Sequence, residues 1–177
     1  VSGRTRIFGL AGWSGSGKTT LVIRLIPALT ARGITVSTVK HAHHAFDIDQ
    51  PGKDSWKHRA AGASEVLISS SQRWALMHEH RGAREPGLAE LLAHMSPVDL
   101  VLVEGFKREA YPKLEVHRPS LGKPLLCEDD PDIVAVASDA PVAGLHVPRL
   151  PLDDAAAIAD FILAQCRLEP ADGAAQR

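Results

Sequence analysis

The sequence predicts an α/β protein: a three-layer α/β/α sandwich on a mostly parallel sheet, with one added antiparallel hairpin. Three observations carry this reading. Strand-like and helix-like segments alternate along the chain. A strand, a helix and a second strand fit between Arg6 and Lys40, the compass of a βαβ unit. A glycine-rich turn joins that first strand to the helix, where folds of this class receive anions.

The elements follow in order. Arg6 to Ala11 is a short apolar run that ends at the glycine-rich turn, a buried strand. Thr19 to Ala31 carries Leu21, Val22, Leu25, Ile26 and Leu29 at helical spacing. Gly33 supplies the stop, and Pro27 inside the run predicts a kink or an early break. Ile34 to Lys40 is β-branched and reads as the second strand. His41 to Lys53 is a polar loop, and Ser55 to Ala61 a short helix capped by Asp54. Glu65 to Ser69 and Arg73 to His78 form the hairpin around Ser70, Ser71 and Gln72. Pro86 to Met95 reads as a helix with Pro86 in its first turn. Asp99 to Val103, Lys113 to His117 and Ile133 to Ala137 are further strands, and Asp153 to Arg167 is an amphipathic helix.

With 177 residues the chain suits one domain, expected over residues 1–168, with residues 169–177 as a disordered tail. Apolar residues make up 45% and charged residues 23%, ordinary values for a globular protein. The formal net charge of −1 provides no field that would draw nucleic acid or an acidic membrane. No apolar run approaches the roughly 20 residues of a membrane span, and the first residues lack a signal-peptide layout. Cys127 and Cys166 stand far apart in no zinc or redox spacing, which points to a reducing cytoplasm.

Gly12-Trp13-Ser14-Gly15-Ser16-Gly17-Lys18-Thr19 matches G-x-x-x-x-G-K-T in full. Glycines there let successive main-chain N–H groups turn inward toward phosphate oxygens, and the following helix N-terminus favours negative charge. Lys18 is expected at the β- and γ-phosphates, the Thr19 hydroxyl in a Mg²⁺ shell and Thr20 at the α-phosphate. The strand before the motif and the helix after it are the context the motif requires, so the fold is expected to be of the P-loop NTPase type. Glu104 ends an apolar strand, where it is placed to orient a Mg²⁺-bound water or to polarise an attacking one; a turn-capping role is the plainer alternative.

Lys40-His41-Ala42-His43-His44-Ala45-Phe46-Asp47-Ile48-Asp49 follows the second strand. Asp47 and Asp49 are candidates for the metal shell or for a switch that senses the γ-phosphate. His41, His43 and His44 are either transition-metal ligands or part of a polar loop at a phosphate or partner. The metal-free reading is preferred, because no cysteine joins the cluster and no i, i+4 histidine pair is present. Asp139, after the Ile133 to Ala137 strand, is the candidate for accepting from the guanine N1 and N2 groups, an edge on which adenine offers no matching donors.

Taken in order, the phosphate motif, Val39-Lys40-His41-Ala42-His43-His44, Phe46-Asp47-Ile48-Asp49, the stretch from Pro51-Gly52-Lys53-Asp54-Ser55-Trp56 to Gly62-Ala63, and Val103-Glu104-Gly105-Phe106-Lys107 resemble the molybdopterin-guanine dinucleotide biosynthesis adapter family, MobB. The resemblance runs from about Arg6 to at least His117. It implies a bacterial, cytoplasmic, homodimeric GTP-binding protein that uses Mg²⁺, has weak GTPase activity, and assists the guanylyltransferase that attaches GMP to molybdopterin. It places Gly15, Gly17, Lys18 and Thr19 on phosphate, with an acidic residue beside Thr19 on Mg²⁺. Lys107 and Arg108 are assigned to the pterin, the partner enzyme or the second subunit, and Lys53 and the histidines are partner or pterin contacts. The exposed edges of the hairpin at Glu65 to His78 make it the candidate dimer surface. Two other classes share the same phosphate motif. A small-molecule kinase would need a lid carrying arginines, for which Arg81 and Arg84 are candidates, and a metal-delivery GTPase would need a site built from the histidines.

Overall fold

The structure, a computed structural model, describes residues 5–42, 46–106 and 109–170. The chain divides into two compact units, one formed by Val1–His41 with Leu92–Arg177, the other by Ala42–Leu91.

The first unit is built on a six-stranded sheet. Its strands are β1 (Arg6–Ala11), β2 (Val36–Lys40), β5 (Leu100–Glu104), β6 (Lys113–His117), β7 (Ile133–Ser138) and β8 (Arg149–Pro151), numbered so that β3 and β4 fall in the second unit. Their order is β2-β5-β1-β6-β7-β8 and every neighbouring pair is parallel. All six therefore end on one edge, and the loops that follow them share that edge. The structural alternation is what the sequence predicts, and β8 is an addition to it.

Helices α1 (Lys18–Thr30) and α4 (Ala155–Cys166) pack together on one face of this sheet. Leu21, Leu25 and Leu29 recur every fourth residue of α1 and meet Phe8, Leu10, Leu114 and Val116 from the strands and Ile158 and Ile162 from α4. Each such fully buried side chain contributes about 1.5–3 kcal/mol of transfer free energy. Arg32 ties the helices at their ends, donating to Asp160 at 2.8 Å and to the carbonyl oxygens of Ala28 and Ala156. Over β6 and β7 the other face is closed by loop residues, with Leu125, Leu126, Leu145 and Val147 packed against Cys127, Ile133 and Val136.

Pro27 does not break α1, which runs unbroken to Thr30. The proline lies on the exposed side of the helix, so the carbonyl its missing N–H leaves open is not stranded in the core. Gly33 turns the chain out of the helix with φ 79°, as its position predicts. The C-terminal helix starts later than expected, because the Asp154 carboxylate caps it by accepting from the Ala157 amide at 2.9 Å.

The second unit holds α2 (Asp54–Ala60), the antiparallel hairpin of β3 (Glu65–Ser69) and β4 (Trp74–His78), and the start of α3 (Leu88–Leu92). Asp54 is not the cap of α2: Lys53 holds that position without a side-chain cap, and Asp54 lies in the first turn, 3.3 Å from Lys57. The third helix is shorter than Pro86 to Met95. Glu90 reaches back to the Gly87 amide at 2.9 Å and so sets the start after Pro86.

Among the described residues no helix is long and apolar enough to cross a membrane.

Candidate functional site

The Gly12–Thr19 segment links β1 to α1 at the carboxyl edge of the parallel sheet. Its course depends on glycine. Gly12, Gly15 and Gly17 take φ values of 142°, 81° and 102°, a range side chains disfavour. At Gly12 space forbids a side chain as well, since a Cβ would lie 2.5 Å from the Val116 carbonyl oxygen of β6 and 2.8 Å from Ser16 Oγ.

Lys18, first residue of α1, folds its Nζ back into the loop and donates to the carbonyl oxygens of Gly12 at 2.8 Å and Trp13 at 2.9 Å. The ammonium is thus held inside the curve of its own main chain. The Ser16 hydroxyl is buried and has no hydrogen-bond partner among the described residues. Ser14, Gly15, Thr19 and Thr20 are exposed on the same loop and helix start. Trp13 anchors the loop from outside, its Nε1 donating to the Pro124 carbonyl at 2.8 Å. A glycine-built turn, one ammonium, an orphan hydroxyl and a helix N-terminus make a donor set that suits a polyphosphate.

Glu104 ends β5, beside β1, with Leu10 as its register partner. Its carboxylate lies 3.7 Å from Lys40 Nζ, and its carbonyl oxygen accepts from the His41 amide at 2.8 Å. Gly105 then turns with φ 95°, and a Cβ there would meet His41 Cβ at 2.5 Å. The His41 ring lies 4.9 Å from the Phe106 ring. Tyr111 fixes this turn from below: its hydroxyl donates to the Gly105 carbonyl at 3.0 Å, and its ring crosses β1 at Gly9, where a Cβ would come within 2.4 Å. Asp99 sits at the opposite edge, accepting from the Thr35 hydroxyl at 2.6 Å and the Thr35 amide at 2.9 Å, and so locks β5 to the chain before β2.

Asp139 directly follows β7 on the carboxyl edge and is exposed. Its carboxylate pairs with Arg118, the first residue after β6. Arg118 was not a sequence candidate, although a basic residue between a strand end and Pro119 was there to be seen.

Asp47, Asp49 and Lys53 belong to the second unit. There Arg59 of α2 draws the acidic groups together, at 2.7 Å from Asp47, 3.4 Å from Asp49 and 2.8 Å from Glu79. Asp49 also accepts from the Ser55 hydroxyl at 2.8 Å. The Arg59 hydrogen bond, helped by the Asp49 amide, holds the Asp47 carboxyl below the usual range. Arg81 donates to the carbonyl oxygens of Arg59 and Ala63, both at 2.8 Å, and Arg84 pairs with Glu90. His43, His44, Lys107 and Arg108 lie outside the described residues. Among the described residues no group of three or more His, Cys, Asp and Glu side chains is arranged to hold a metal ion.

β6 holds a feature that sequence reading missed. Lys113, Glu115 and His117 alternate with Leu114 and Val116, the pattern of a half-exposed strand, yet all five are buried. Glu115 accepts from the amides of Leu126, at 2.9 and 3.0 Å, and Cys127, at 3.0 Å. Lys113 pairs with Asp130 at 3.0 Å and Asp132 at 3.4 Å. The polar face of the strand thus pins the loop that carries Pro124, and through it Trp13.

Comparison with known proteins agrees with this fold. The family described as "Molybdopterin guanine dinucleotide synthesis protein B" matches residues 7–139. A molybdopterin-guanine dinucleotide biosynthesis adapter protein of Escherichia coli is 45% identical over 168 residues, covering 92% of this chain and 95% of the relative. One of the same description from Haemophilus influenzae is 45% identical over 163 residues, covering 88% and 86%. Among solved structures, a crystal structure of molybdopterin-guanine biosynthesis protein B superposes with a TM-score of 0.70 at 31% identity, covering 89% of this chain and 98% of the other. The chain belongs to the MobB family of molybdopterin-guanine dinucleotide biosynthesis adapter proteins.

Proposed function

We propose that this protein is a GTP-binding adapter with weak GTPase activity that assists the guanylyltransferase converting molybdopterin cofactor to its guanine dinucleotide form, in the bacterial cytoplasm. The observation that carries the reading is the Gly12–Thr19 loop, with Lys18 held within its curve at 2.8 and 2.9 Å from two loop carbonyl oxygens. Main-chain amides of the loop and Lys18 would bind the β- and γ-phosphates, with Ser14 at the rim, the Ser16 hydroxyl within the loop and Thr20 at the α-phosphate. Thr19 and Glu104 would hold Mg²⁺, which supplies charge neutralisation on the phosphates. Glu104 would also orient the water that attacks the γ-phosphate. Without an arginine contributed by a partner, such a site turns over slowly, which suits an adapter more than a turnover enzyme. Asp47 and Asp49, both paired with Arg59, enter as the further metal or switch candidates.

Asp139 would select guanine through N1 and N2. His41, His43, His44, Lys53, Lys107 and Arg108 are assigned to the partner enzyme or the molybdopterin. The homodimer is assigned to the β3–β4 hairpin. Leu67, Leu76 and Trp74 share one of its faces and are exposed, an apolar stripe beside unpaired strand edges.

Calorimetry tests the nucleotide part. GTP with Mg²⁺ should bind more tightly than ATP, and Lys18→Ala should abolish binding; unchanged affinity in that variant would refute the reading. Capture from bacterial lysate with and without GTP tests the adapter part, with the guanylyltransferase as the expected bound protein. A lysate containing that enzyme that yields none of it in either condition would count against the adapter role. Light scattering tests the dimer: Leu67→Asp combined with Trp74→Asp should give a monomer, and a persistent dimer would exclude the hairpin.

A further inference from the structure

We infer that Arg118 is a positioning residue for base selection, a strut joining the phosphate loop to the base-reading aspartate. The inference rests on the nucleotide reading above and extends it to a residue that reading does not use.

Three neighbouring strands, β1, β6 and β7, end side by side on the carboxyl edge of the sheet. Arg118 follows the middle strand, Ser16 lies in the loop after β1, and Asp139 follows β7. The Arg118 guanidinium joins all three loops. Its Nε donates to the Ser16 carbonyl oxygen at 3.0 Å, and its Nη1 donates to Asp139 Oδ2. Its Nη2 passes 3.5 Å from the point where a Gly17 Cβ would stand. One planar group therefore ties the main chain that would cradle phosphate to the carboxylate that would read the base.

The Arg118 backbone is itself held. Pro119 follows it and favours an extended conformation, here φ −123° and ψ 111°. The Arg118 carbonyl oxygen then accepts from the Leu121 amide at 3.0 Å, closing a short 3₁₀ turn. The residue is fixed by its strand on one side and this turn on the other.

The chemistry of the fork suits the task. Guanine presents N1–H and N2–H side by side, so a reading carboxylate must be ionised and held in one orientation. A carboxylate has about four lone-pair positions, so a guanidinium on one side of Oδ2 leaves acceptor capacity for the base. Arg118 fixes the orientation of the carboxylate and transmits the position of the Ser16–Gly17 main chain to Asp139. Half-exposed ion pairs contribute little to stability alone. The effect belongs in discrimination between bases.

The experiment measures affinities of the full chain for GTP, ATP and inorganic tripolyphosphate, each with Mg²⁺, in wild type, Arg118→Ala, Arg118→Lys, Asp139→Ala and the Arg118→Ala/Asp139→Ala double variant. Arg118→Ala should lose roughly tenfold or more of the preference for GTP over ATP while changing tripolyphosphate affinity by less than about twofold. Arg118→Lys keeps the charge without the fork and should lose the preference too. The double variant should lose no more selectivity than Asp139→Ala alone, since both changes remove one linked unit.

Undiminished selectivity in Arg118→Ala, or additive losses in the double variant, would overturn the strut. Retained selectivity in Arg118→Lys would show that charge alone suffices and would overturn the bridging role. A tripolyphosphate affinity that falls in step with GTP would make Arg118 a phosphate ligand instead. The wild-type arm separates failure of the parent reading: no binding of either triphosphate would sink the phosphate site, and equal affinity for GTP and ATP would sink base selection by Asp139. Either result overturns the strut as well.

Discussion

Replacing Gly12 and Gly15 by alanine, one at a time, applies the same chemical change to two positions of one loop with different expected costs. At Gly12 a non-glycine residue at φ 142° is strained by about 1–3 kcal/mol. Its Cβ would also lie 2.5 Å from the Val116 carbonyl oxygen, a main-chain atom fixed in the sheet, and crowding of that kind costs about 1–3 kcal/mol more. The sum is roughly 2–6 kcal/mol, with a middle value of about 4. At Gly15, φ is 81° and nothing lies within 4 Å of the added methyl. The left-handed penalty of about 1–2 kcal/mol is partly offset by about 0.4–1 kcal/mol from a stiffer unfolded chain, which leaves roughly 1 kcal/mol. For a chain of this size each kcal/mol moves the melting temperature by about 2–4 °C. Followed by circular dichroism without nucleotide, Gly12→Ala should melt about 8–16 °C below wild type and Gly15→Ala only about 2–4 °C below. Equal shifts in the two variants would refute the reasoning, because the close approach of β6 to Gly12 would then carry no energetic weight.

Further outcomes follow from the buried and paired groups. The Asp47 carboxyl has its pKa lowered in the folded state by Arg59, so its contribution to stability is present above the unfolded value near 4 and is lost as pH falls through the folded value. Carboxyl NMR titration should show Asp47 titrating below that value in wild type and moving up toward it in Arg59→Ala; no movement would remove Arg59 as the cause. Burial pushes the thiols of Cys127 and Cys166 up to about 11, so both should resist a disulfide reagent at pH 8 in the native protein and react once it is unfolded in guanidinium. Fast labelling of native protein would contradict their burial. Glu115→Ala leaves the Leu126 and Cys127 amides without their acceptor, at a cost of roughly 2–4 kcal/mol. Hydrogen exchange should speed up at those two amides and stay unchanged in the β3–β4 hairpin; an unchanged rate at Leu126 would argue against the clamp.

Much of the fold was legible because local signals agreed with one another. β1, α1 and β2 each carried their own periodicity, and the glycine-rich turn set the boundary between the first two. The hairpin was legible from its β-branched and aromatic runs around a polar turn. What escaped depended on partners distant in the chain. β8 is a three-residue edge strand ending in proline, and only its neighbour β7 makes it a strand. The burial of Glu115 and Lys113 arises from a loop more than ten residues away, which no pattern within Lys113 to His117 announces.

The site shows the same division. The Gly12–Thr19 loop was readable because its chemistry lies in consecutive residues. Arg118 was not, because its meaning comes from Ser16 and Asp139, 102 and 21 residues away in the chain. The acidic pair Asp47 and Asp49 was read as a metal or switch element from composition, and their contact with Arg59, twelve and ten residues further along the chain, depends on the helix that carries it.

The most direct test is a crystal structure with a nonhydrolysable GTP analogue and Mg²⁺. The account predicts the β- and γ-phosphates within hydrogen-bond distance of the loop amides, and Lys18 Nζ moved from the Gly12 and Trp13 carbonyl oxygens onto phosphate. A loop without phosphate, with Lys18 still on those two carbonyl oxygens at saturating nucleotide, would contradict it.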